Sequence, residues 1–330
     1  MKKKKKNTIV KTMALIEKKY GKGSIMRLGD KPLDPGICVS TGSVSLDKAL
    51  GGKGLPFGRI IELYGPESAG KTSLALKILA NTQKTFGPAG IVDAEHALDP
   101  AYAKKIGVNI EDLYLSQPSY GEQALGIVRE LIKGGKLKTI VIDSVAALVP
   151  KKELEGEMDD ETVALQARMM GKALRKIAAL ADIKKVLVIF LNQERDKIGW
   201  GFSRGGKTTP GGRALKFWAS VRIEIRRVKT EKEGQKETSN FVFAKVVKSK
   251  ICPPFRVGRF YITFDKGIDK AKELFLWARE GKILRKKKGK FVFEDITERS
   301  QKKFLEVLLS KKNTRKRFLK ITSDYIQSRF

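Results

Sequence analysis

The residues Gly65-Pro66-Glu67-Ser68-Ala69-Gly70-Lys71-Thr72 have the spacing G-x-x-x-x-G-K-[ST], a pattern built for holding phosphate. The glycines let backbone N–H groups curl around phosphate oxygens, and the N-terminus of the following helix adds a favourable dipole. Lys71 neutralises the terminal oxygens, and the Thr72 hydroxyl takes one position on a magnesium ion. A second signature supports the first. Lys138-Thr139-Ile140-Val141-Ile142-Asp143-Ser144 reads as an apolar strand ending in Asp143, placed to hold Mg²⁺ through water. Hydrolysis also needs a group that orients or deprotonates water. Glu95, in Ile91-Val92-Asp93-Ala94-Glu95-His96, is the best placed carboxylate. The strand at 186–191 runs into Asn192-Gln193, an amide able to bond a γ-phosphate and register its loss. His96 reads as a structural or interface residue, because Glu95 suits water activation better. ATP and Mg²⁺ are the ligands this set predicts.

Such groups work only if a scaffold brings them together. Short apolar runs at 60–64, 90–93, 113–116, 138–143 and 186–192 read as strands, and helical patterns at 71–86, 98–106, 120–133 and 163–182 separate most of them. The alternation predicts an α/β fold with a mostly parallel central sheet covered on both faces, and ligands in such sheets bind at the carboxyl ends of the strands. Beyond 220 the pattern changes. The segments 220–227, 241–247 and 259–264 follow one another with no helix between them, and read as antiparallel additions. Apolar positions Ile9, Met13, Ile16 and Tyr20 predict a small N-terminal helix over 7–20. The expected organisation is an N-terminal helical segment in 1–33, an α/β core carrying the phosphate site in 34–267 and a small basic α/β domain in 268–330.

Charge points to the partner. Sixty-eight Lys and Arg against 36 Asp and Glu leave +32, an electrostatic footprint for a polyanion, most often nucleic acid. Residues 281–330 hold 16 basic and 5 acidic residues, with Lys286-Lys287-Lys288 and Arg315-Lys316-Arg317 at the centre. No run reaches the roughly 20 apolar residues of a membrane span. The Lys2 to Lys6 run has no apolar segment after it, as a secretion signal would. A cytoplasmic, nucleoid-associated protein with no membrane partner is expected. Cys38 and Cys252, with one histidine, make no zinc site and read as small core or interface residues. The segment 194–212 is long, glycine-rich and basic, with Arg195, Lys197, Arg204, Lys207 and, at its exit, Arg213. Long glycine-rich loops are usually disordered or functional, and these cations are able to pair with phosphates.

The ordered motifs resemble the bacterial RecA family over about residues 8–268: Tyr20-Gly21-Lys22-Gly23-Ser24, Ser40-Thr41-Gly42-Ser43, Gly65 to Thr72, Asp93-Ala94-Glu95-His96-Ala97-Leu98-Asp99-Pro100, Ile142-Asp143-Ser144, Glu155-Gly156-Glu157, Ala167-Arg168-Met169-Met170, Ala214-Leu215-Lys216-Phe217 and Lys245-Val246-Val247-Lys248-Ser249-Lys250. The resemblance implies a RecA-like P-loop core and a DNA-dependent ATPase. It implies filaments on single-stranded DNA, and homologous pairing and strand exchange in DNA recombination and repair after DNA damage. It further implies that Asp99 and Tyr102 lie around the adenine and that Lys248 and Lys250 reach the ATP of a neighbouring subunit. A DNA-binding loop is implied near 155–162 and a second over 194–212, in which Ile198 wedges between base triplets and Gly211 and Gly212 contribute. Arg168 and Arg175 are implied to lie near DNA, and Lys216, Phe217 and Arg222 at a head-to-tail interface that does not close. Single- and double-stranded DNA, further copies of the chain and an SOS-type repressor, through a co-protease role in the SOS response, are the implied partners.

The chain departs from the family pattern at Glu194, in the basic stretch Gly201-Phe202-Ser203-Arg204-Gly205-Gly206-Lys207, and at its end, where Ser328-Arg329-Phe330 replaces an acidic tail. The expectation is weaker autoinhibition and readier binding of duplex DNA. A hexameric RecA-fold helicase and a basic DNA-coating protein are the rival readings. Intact Lys71, Thr72, Glu95, Asp143 and Gln193 argue against the latter.

Overall fold

A computed structural model of the chain describes residues 2–27, 36–157, 164–196 and 207–330. It divides into the units Met1–Gly36 and Ile37–Phe330. The first holds helix α1 (Lys2–Tyr20), with Lys18 and Lys19 in its last turn, where cations complement the negative end of the helix dipole. It begins five residues before the apolar pattern does, because lysine favours helix without marking a buried face. Glu17 closes its C-terminus: its carbonyl accepts the Gly21 N–H at 2.9 Å and its carboxylate the Gly23 N–H at 3.0 Å.

The second unit runs β1 (Cys38–Val39), α2 (Val44–Ala49), β2 (Leu55–Pro56), β3 (Ile60–Gly65), α3 (Lys71–Thr85), β4 (Ala89–Asp93), α4 (Pro100–Ile106), β5 (Leu113–Ser116), α5 (Gly121–Gly134), β6 (Thr139–Asp143), α6 (Lys151–Glu155), α7 (Leu165–Lys184), β7 (Leu187–Gln193), β8 (Arg195–Asp196), β9 (Lys207–Thr208), α8 (Gly212–Trp218), β10 (Val221–Glu233), β11 (Lys236–Ser249), β12 (Val257–Thr263), β13 (Gly267–Ile268), α9 (Lys270–Glu280), β14 (Arg285–Lys287), β15 (Lys290–Phe293), β16 (Ile296–Glu298), α10 (Gln301–Ser310) and α11 (Lys312–Ser328). The central sheet has the order β13-β12-β11-β10-β3-β7-β6-β4-β5 among the described residues. From β10 to β5 neighbouring strands are parallel; from β10 to β13 they are antiparallel.

The inner parallel strands β3, β4, β6 and β7 read as continuous apolar runs because both their faces are covered; β5, at the edge, leaves Tyr114 and Leu115 exposed. Val141, Ile189, Leu63 and Ile223 pack under α3 and α4, whereas Ile140, Ile142, Val188 and Phe190 pack under α5, α7 and α8. The antiparallel expectation needs one correction. β10 is antiparallel to β11 but parallel to β3, because α8 is the crossover that returns the chain from β7 to the same end of the sheet. The β10–β11 hairpin also outruns the predicted strands. Past Arg226 its exposed ladder is laced with pairs such as Lys229–Glu231 at 3.1 Å, and such residues give no apolar alternation to read.

The C-terminal segment builds its own apolar cluster from Phe275, Phe304, Phe318 and Ile326. One buried carboxylate pins it to the core. Glu273 on α9 accepts the Ser43 hydroxyl and the Ser45 N–H at 2.7 Å each, and the Val44 N–H at 3.1 Å. It therefore caps the N-terminus of α2. Arg259 on β12 reinforces the junction, with its guanidinium 4.3 Å from the Trp277 ring centroid and bonded to both oxygens of Glu280 at 2.8 and 2.6 Å.

Burial pushes the Glu273 carboxyl up to about 7, against the pull of its donors. Between the unfolded value of about 4.3 and about 7 the folded state holds the extra proton. The stability this group contributes is therefore fully present below the unfolded value and is lost as pH rises through 7. Thermal unfolding followed across this range should show a falling midpoint, and Glu273→Gln should flatten that dependence.

Candidate active site and the loops beside it

Parallel pairing sets the ends of β3, β7, β6 and β4 side by side: Gly65 stands opposite Gln193, and Asp93 opposite Asp143. The chain can leave β3 into the phosphate loop only with glycine at 65. A Cβ there would lie 2.0 Å from the Ile225 carbonyl oxygen, and one at Gly70, at φ +97°, 2.4 Å from Ile262 Cδ1. Gly70 is the left-handed N-cap of α3. The loop exposes Pro66, Glu67 and Ser68 and buries Ala69. Lys71 Nζ donates to the carbonyls of Gly65 at 3.0 Å and Pro66 at 2.7 Å. Burial lowers its pKa, opposed by Asp143, Glu95, Glu67 and Glu194.

The Thr72 hydroxyl donates to Asp143 Oδ2 at 2.9 Å. Burial first, then Glu95 and Asp93, push the Asp143 carboxyl up to about 6 against the Thr72 hydrogen bond and Lys71. Glu95 Oε1 accepts the Ser144 hydroxyl and the Gln193 side-chain amide, the latter at 3.3 Å. The structure thus joins Thr72 to Asp143 and Glu95 to Gln193, as their places at strand ends require. Ser144 and Asp93 escaped the sequence reading. Buried Asp93 accepts the N–H groups of Ala97 and Leu98 and the Gln117 amide, at 3.3, 3.1 and 3.0 Å. It thereby shapes the turn that presents Glu95. An aspartate ending a strand beside another such aspartate was the available signal. His96 is exposed on that turn, at φ +55°.

Asp99 caps α4, accepting the N–H groups of Ala101 at 2.8 Å and Tyr102 at 3.2 Å. The Tyr102 hydroxyl meets Ser73 Oγ at 2.7 Å, one residue beyond Thr72. This places the ring at the rim of the phosphate site.

A buried polar network runs from here to the glycine-rich segment. Glu62 on β3, wholly buried, pairs with Arg222 on β10. Its other oxygen accepts the Asn192 amide at 3.0 Å, and the same amide donates to the Pro210 carbonyl at 3.1 Å. Arg222 also lies over the Tyr64 ring, 4.7 Å from its centroid. Gln166 provides a second tie: its amide donates to the carbonyls of Val145 and Leu148 at 2.9 and 3.2 Å and its oxygen accepts the Gly211 N–H at 3.0 Å. Gly211 and Gly212 open α8 with positive φ, and a Cβ at either would come within 3 Å of Val145 or Ala167. Glu62 and Gln166 give no sequence signal, since a polar residue in a strand or helix looks solvated until its neighbours are known; Asn192 stood out only as part of the strand-end amide pair, and the structure turns it to Glu62 and Pro210.

Lys248 donates to the carbonyls of Lys216 and Phe217 of its own chain, at 2.7 and 2.9 Å; Lys250 is exposed. Phe217 is 69% exposed, an open aromatic at the end of α8. Arg168, Arg175, Arg195 and Arg213 are exposed. Lys197, Ile198 and Arg204 lie outside the described residues, as do 158–162 of the first loop and the side chain of Lys207.

A phosphate loop, a strand-end aspartate and a strand-end amide that continues into a basic glycine-rich segment define a P-loop ATPase of RecA-like architecture. The RecA N-terminal domain family matches residues 7–269. "Protein RecA" of Streptomyces avermitilis is 52% identical over 282 residues, covering 86% of this chain and 74% of that one. "Protein RecA" of Nitratiruptor sp. is 51% identical over 281 residues, covering 85% and 82%. "Protein RecA" of Sulfurimonas denitrificans is 53% identical over 262 residues, covering 79% and 76%. The chain belongs to the RecA family. It is a DNA-dependent ATPase and recombinase of DNA repair, which binds DNA and associates into filaments. No helix among the described residues is long and apolar enough to cross a membrane.

Glu62→Ala should destabilise the fold by about 3–5 kcal/mol, because it leaves a mostly buried guanidinium unpaired. Glu62→Gln, which keeps an acceptor, should cost less. Urea unfolding of the two variants checks the order.

Proposed function

We propose that the site takes ATP with Mg²⁺ and that the nucleotide state is passed along β7 to the DNA-binding segment. The observation that carries this reading is the Gln193–Glu95 contact of 3.3 Å at the head of that segment. The chemistry of the donors suits a magnesium nucleotide. Thr72 and Asp143 offer one hydroxyl and one carboxylate 2.9 Å apart, and among the described residues no cluster of three carboxylate, His or Cys side chains forms a cage of its own. Magnesium is usually held by one or two carboxylates together with substrate phosphates. When bound, the ion neutralises charge developing on the transferred phosphoryl group.

Within this reading the N–H groups of 65–72 and Lys71 hold the phosphates, Asp99 and Tyr102 border the adenine, and Glu95 orients the attacking water. Gln193 shares the Glu95 oxygen, so a change in its partner is felt where the DNA segment begins. Lys248 and Lys250 act on the nucleotide of the adjoining copy, which makes hydrolysis depend on assembly. In this chain alone Lys248 rests on the end of α8, so assembly would draw it from those carbonyls. Exposed Phe217 and the exposed Ile9 and Leu15 of α1 support contacts between copies, with Lys216 beside Phe217; Arg222, mostly buried against Glu62, would act there through the strand end it braces. Arg168, Arg175, Arg195, Lys197, Ile198, Arg204, Lys207, Gly211, Gly212 and Arg213 serve single-stranded DNA. Phosphate contacts carry no sequence information, so homology is read by base pairing. The division into 1–33, 34–267 and 268–330 assigns polymerisation, catalysis and duplex capture to successive parts. An SOS-type repressor is a further partner in this reading.

ATP hydrolysis with and without single-stranded DNA, beside strand exchange on homologous and heterologous duplexes, tests the proposal. Stimulated hydrolysis with homology-dependent exchange is expected. Glu95→Gln should lower turnover by about 10²-fold or more while ATP-dependent DNA binding persists. Undiminished turnover in that variant would remove Glu95 from the mechanism, and stimulation without exchange would mark a helicase-like motor.

A further inference from the structure

Two adjacent residues at the head of the glycine-rich segment reach in different directions. Gln193 turns its amide to Glu95, past the end of β4. Glu194, one of the places where the chain departs from the family pattern, turns the other way. Its Oε1 lies 3.5 Å from the Arg226 guanidinium on β10, across β3. The Glu194 side chain is only 7% exposed, and a carboxylate taken out of water needs a partner. Arg226 supplies the cation, but it is shared: its Nε also donates to Glu224 Oε1 at 2.7 Å. Arg222, the next cation back along β10, is committed to Glu62. Two carboxylates on one guanidinium leave this corner negative.

The corner borders the phosphate loop. The Glu194 N–H donates to the Gly65 carbonyl at 3.2 Å, and Lys71 Nζ donates to the same carbonyl at 3.0 Å. One oxygen thus joins the start of the phosphate loop, its lysine and the head of the glycine-rich segment. The Glu194 carboxylate lies within electrostatic reach of the Lys71 ammonium and favours its charged form. Phosphate bound at Lys71 adds like charge beside Glu194, which disfavours the carboxylate where it stands and strengthens the pull of Arg226. β8 follows Glu194 directly, and its Arg195 pairs with Thr208 of β9. The backbone that Glu194 holds is therefore the one that pairs the two ends of the segment.

We propose that Glu194 is a positioning residue that couples the two sites: phosphate at Lys71 favours its withdrawal onto Arg226, and the segment in that arrangement is the one that binds DNA. This rests on the ATP and DNA readings given above and adds to them a group whose charge opposes the ligand. Removing the Glu194 charge relieves the repulsion, whereas removing the Arg226 charge leaves it unopposed, so the two substitutions act on ATP in opposite directions. A pair that only braced the fold would weaken ATP binding whichever partner was lost. Coupling between sites is reciprocal, so a chain without the Glu194 charge binds ATP more tightly and conveys less of that binding to DNA.

The test compares wild type, Glu194→Gln, Arg226→Gln and the double variant, each checked for folding by urea unfolding. Competition of ATP against mant-ADP, with Mg²⁺ and without DNA, measures nucleotide affinity; anisotropy of labelled oligo-dT with and without ATP measures the coupling. Glu194→Gln should bind ATP about fivefold more tightly, the low end of coupling between sites for a partly screened charge, while the factor by which ATP raises oligo-dT affinity falls by a similar amount. Arg226→Gln should bind ATP more weakly. The double variant should recover most of that loss, because a neutral amide at 194 no longer needs the cation. Arg226→Lys, which keeps the charge, should stay near wild type. Weaker or unchanged ATP binding in Glu194→Gln, or an unchanged effect of ATP on its oligo-dT affinity, would overturn the role of Glu194 while leaving the nucleotide reading intact. Failure of the wild type to bind mant-ADP would overturn that reading itself.

Discussion

Parallel hydrogen-bond register across β3, β7, β6 and β4 sets the distances in the nucleotide site, because four of its groups lie on or just past the ends of those strands. Gly65 faces Gln193 and Asp93 faces Asp143 in the ladder, so a slip of one residue would turn every strand-end side chain to the other face. The apolar interiors forbid the slip. Ile140, Ile142, Val188 and Phe190 fill one face while Val141, Ile189 and Leu63 fill the other, and a shifted strand would trade large side chains between two close-packed layers. Catalytic geometry is in this sense a product of core packing, with short local devices added at the tips. Gly65 permits close approach to Ile225, Asp93 shapes the Glu95 turn and Ser144 steadies the Glu95 carboxylate.

The same strands carry a second, polar layer of coupling. Glu62, Arg222, Asn192 and Pro210 join β3, β10, β7 and the segment leading into α8. A buried ion pair is weak evidence for stability; here its value lies in where it runs. The phosphate loop leaves β3 three residues beyond Glu62, and the basic glycine-rich segment leaves β7 one residue beyond Asn192. Gln166 fastens the far end of that segment to the stretch after Asp143. Both ends of the segment are thus tied to strands that hold the nucleotide groups.

Much of this was legible in the sequence, for reasons that also mark where legibility ends. β3, β4, β6 and β7 announced themselves as apolar runs because both faces are buried, and α3, α5 and α7 by their periodic buried stripes. Gly65, Gly70, Lys71 and Thr72 were readable because their spacing encodes a backbone shape. The distal β10–β11 hairpin was not, since an exposed ladder is held by backbone bonds that leave no apolar trace. The first turn of α1 was hidden by a lysine run that satisfies helix propensity alone. Glu273 illustrates the limit best. It looks like any charged residue of an amphipathic helix, and only the fold shows it capping α2 from 230 residues away.

Exposed Phe217 and partly buried Lys248 meet at the end of one helix. The Lys248 ammonium is bonded to the carbonyls of Lys216 and Phe217, the last turn of the helix that presents the Phe217 ring. Burial, with Lys250 and Arg222 adding repulsion, lowers its pKa. A helix C-terminus attracts a cation through its free carbonyls, but a phosphate carries full charges and would compete strongly for the same ammonium. A body pressing on Phe217 would bear on the same backbone that holds Lys248. The exposed ring and the lysine are therefore joined at the end of α8 by two hydrogen bonds within a single chain.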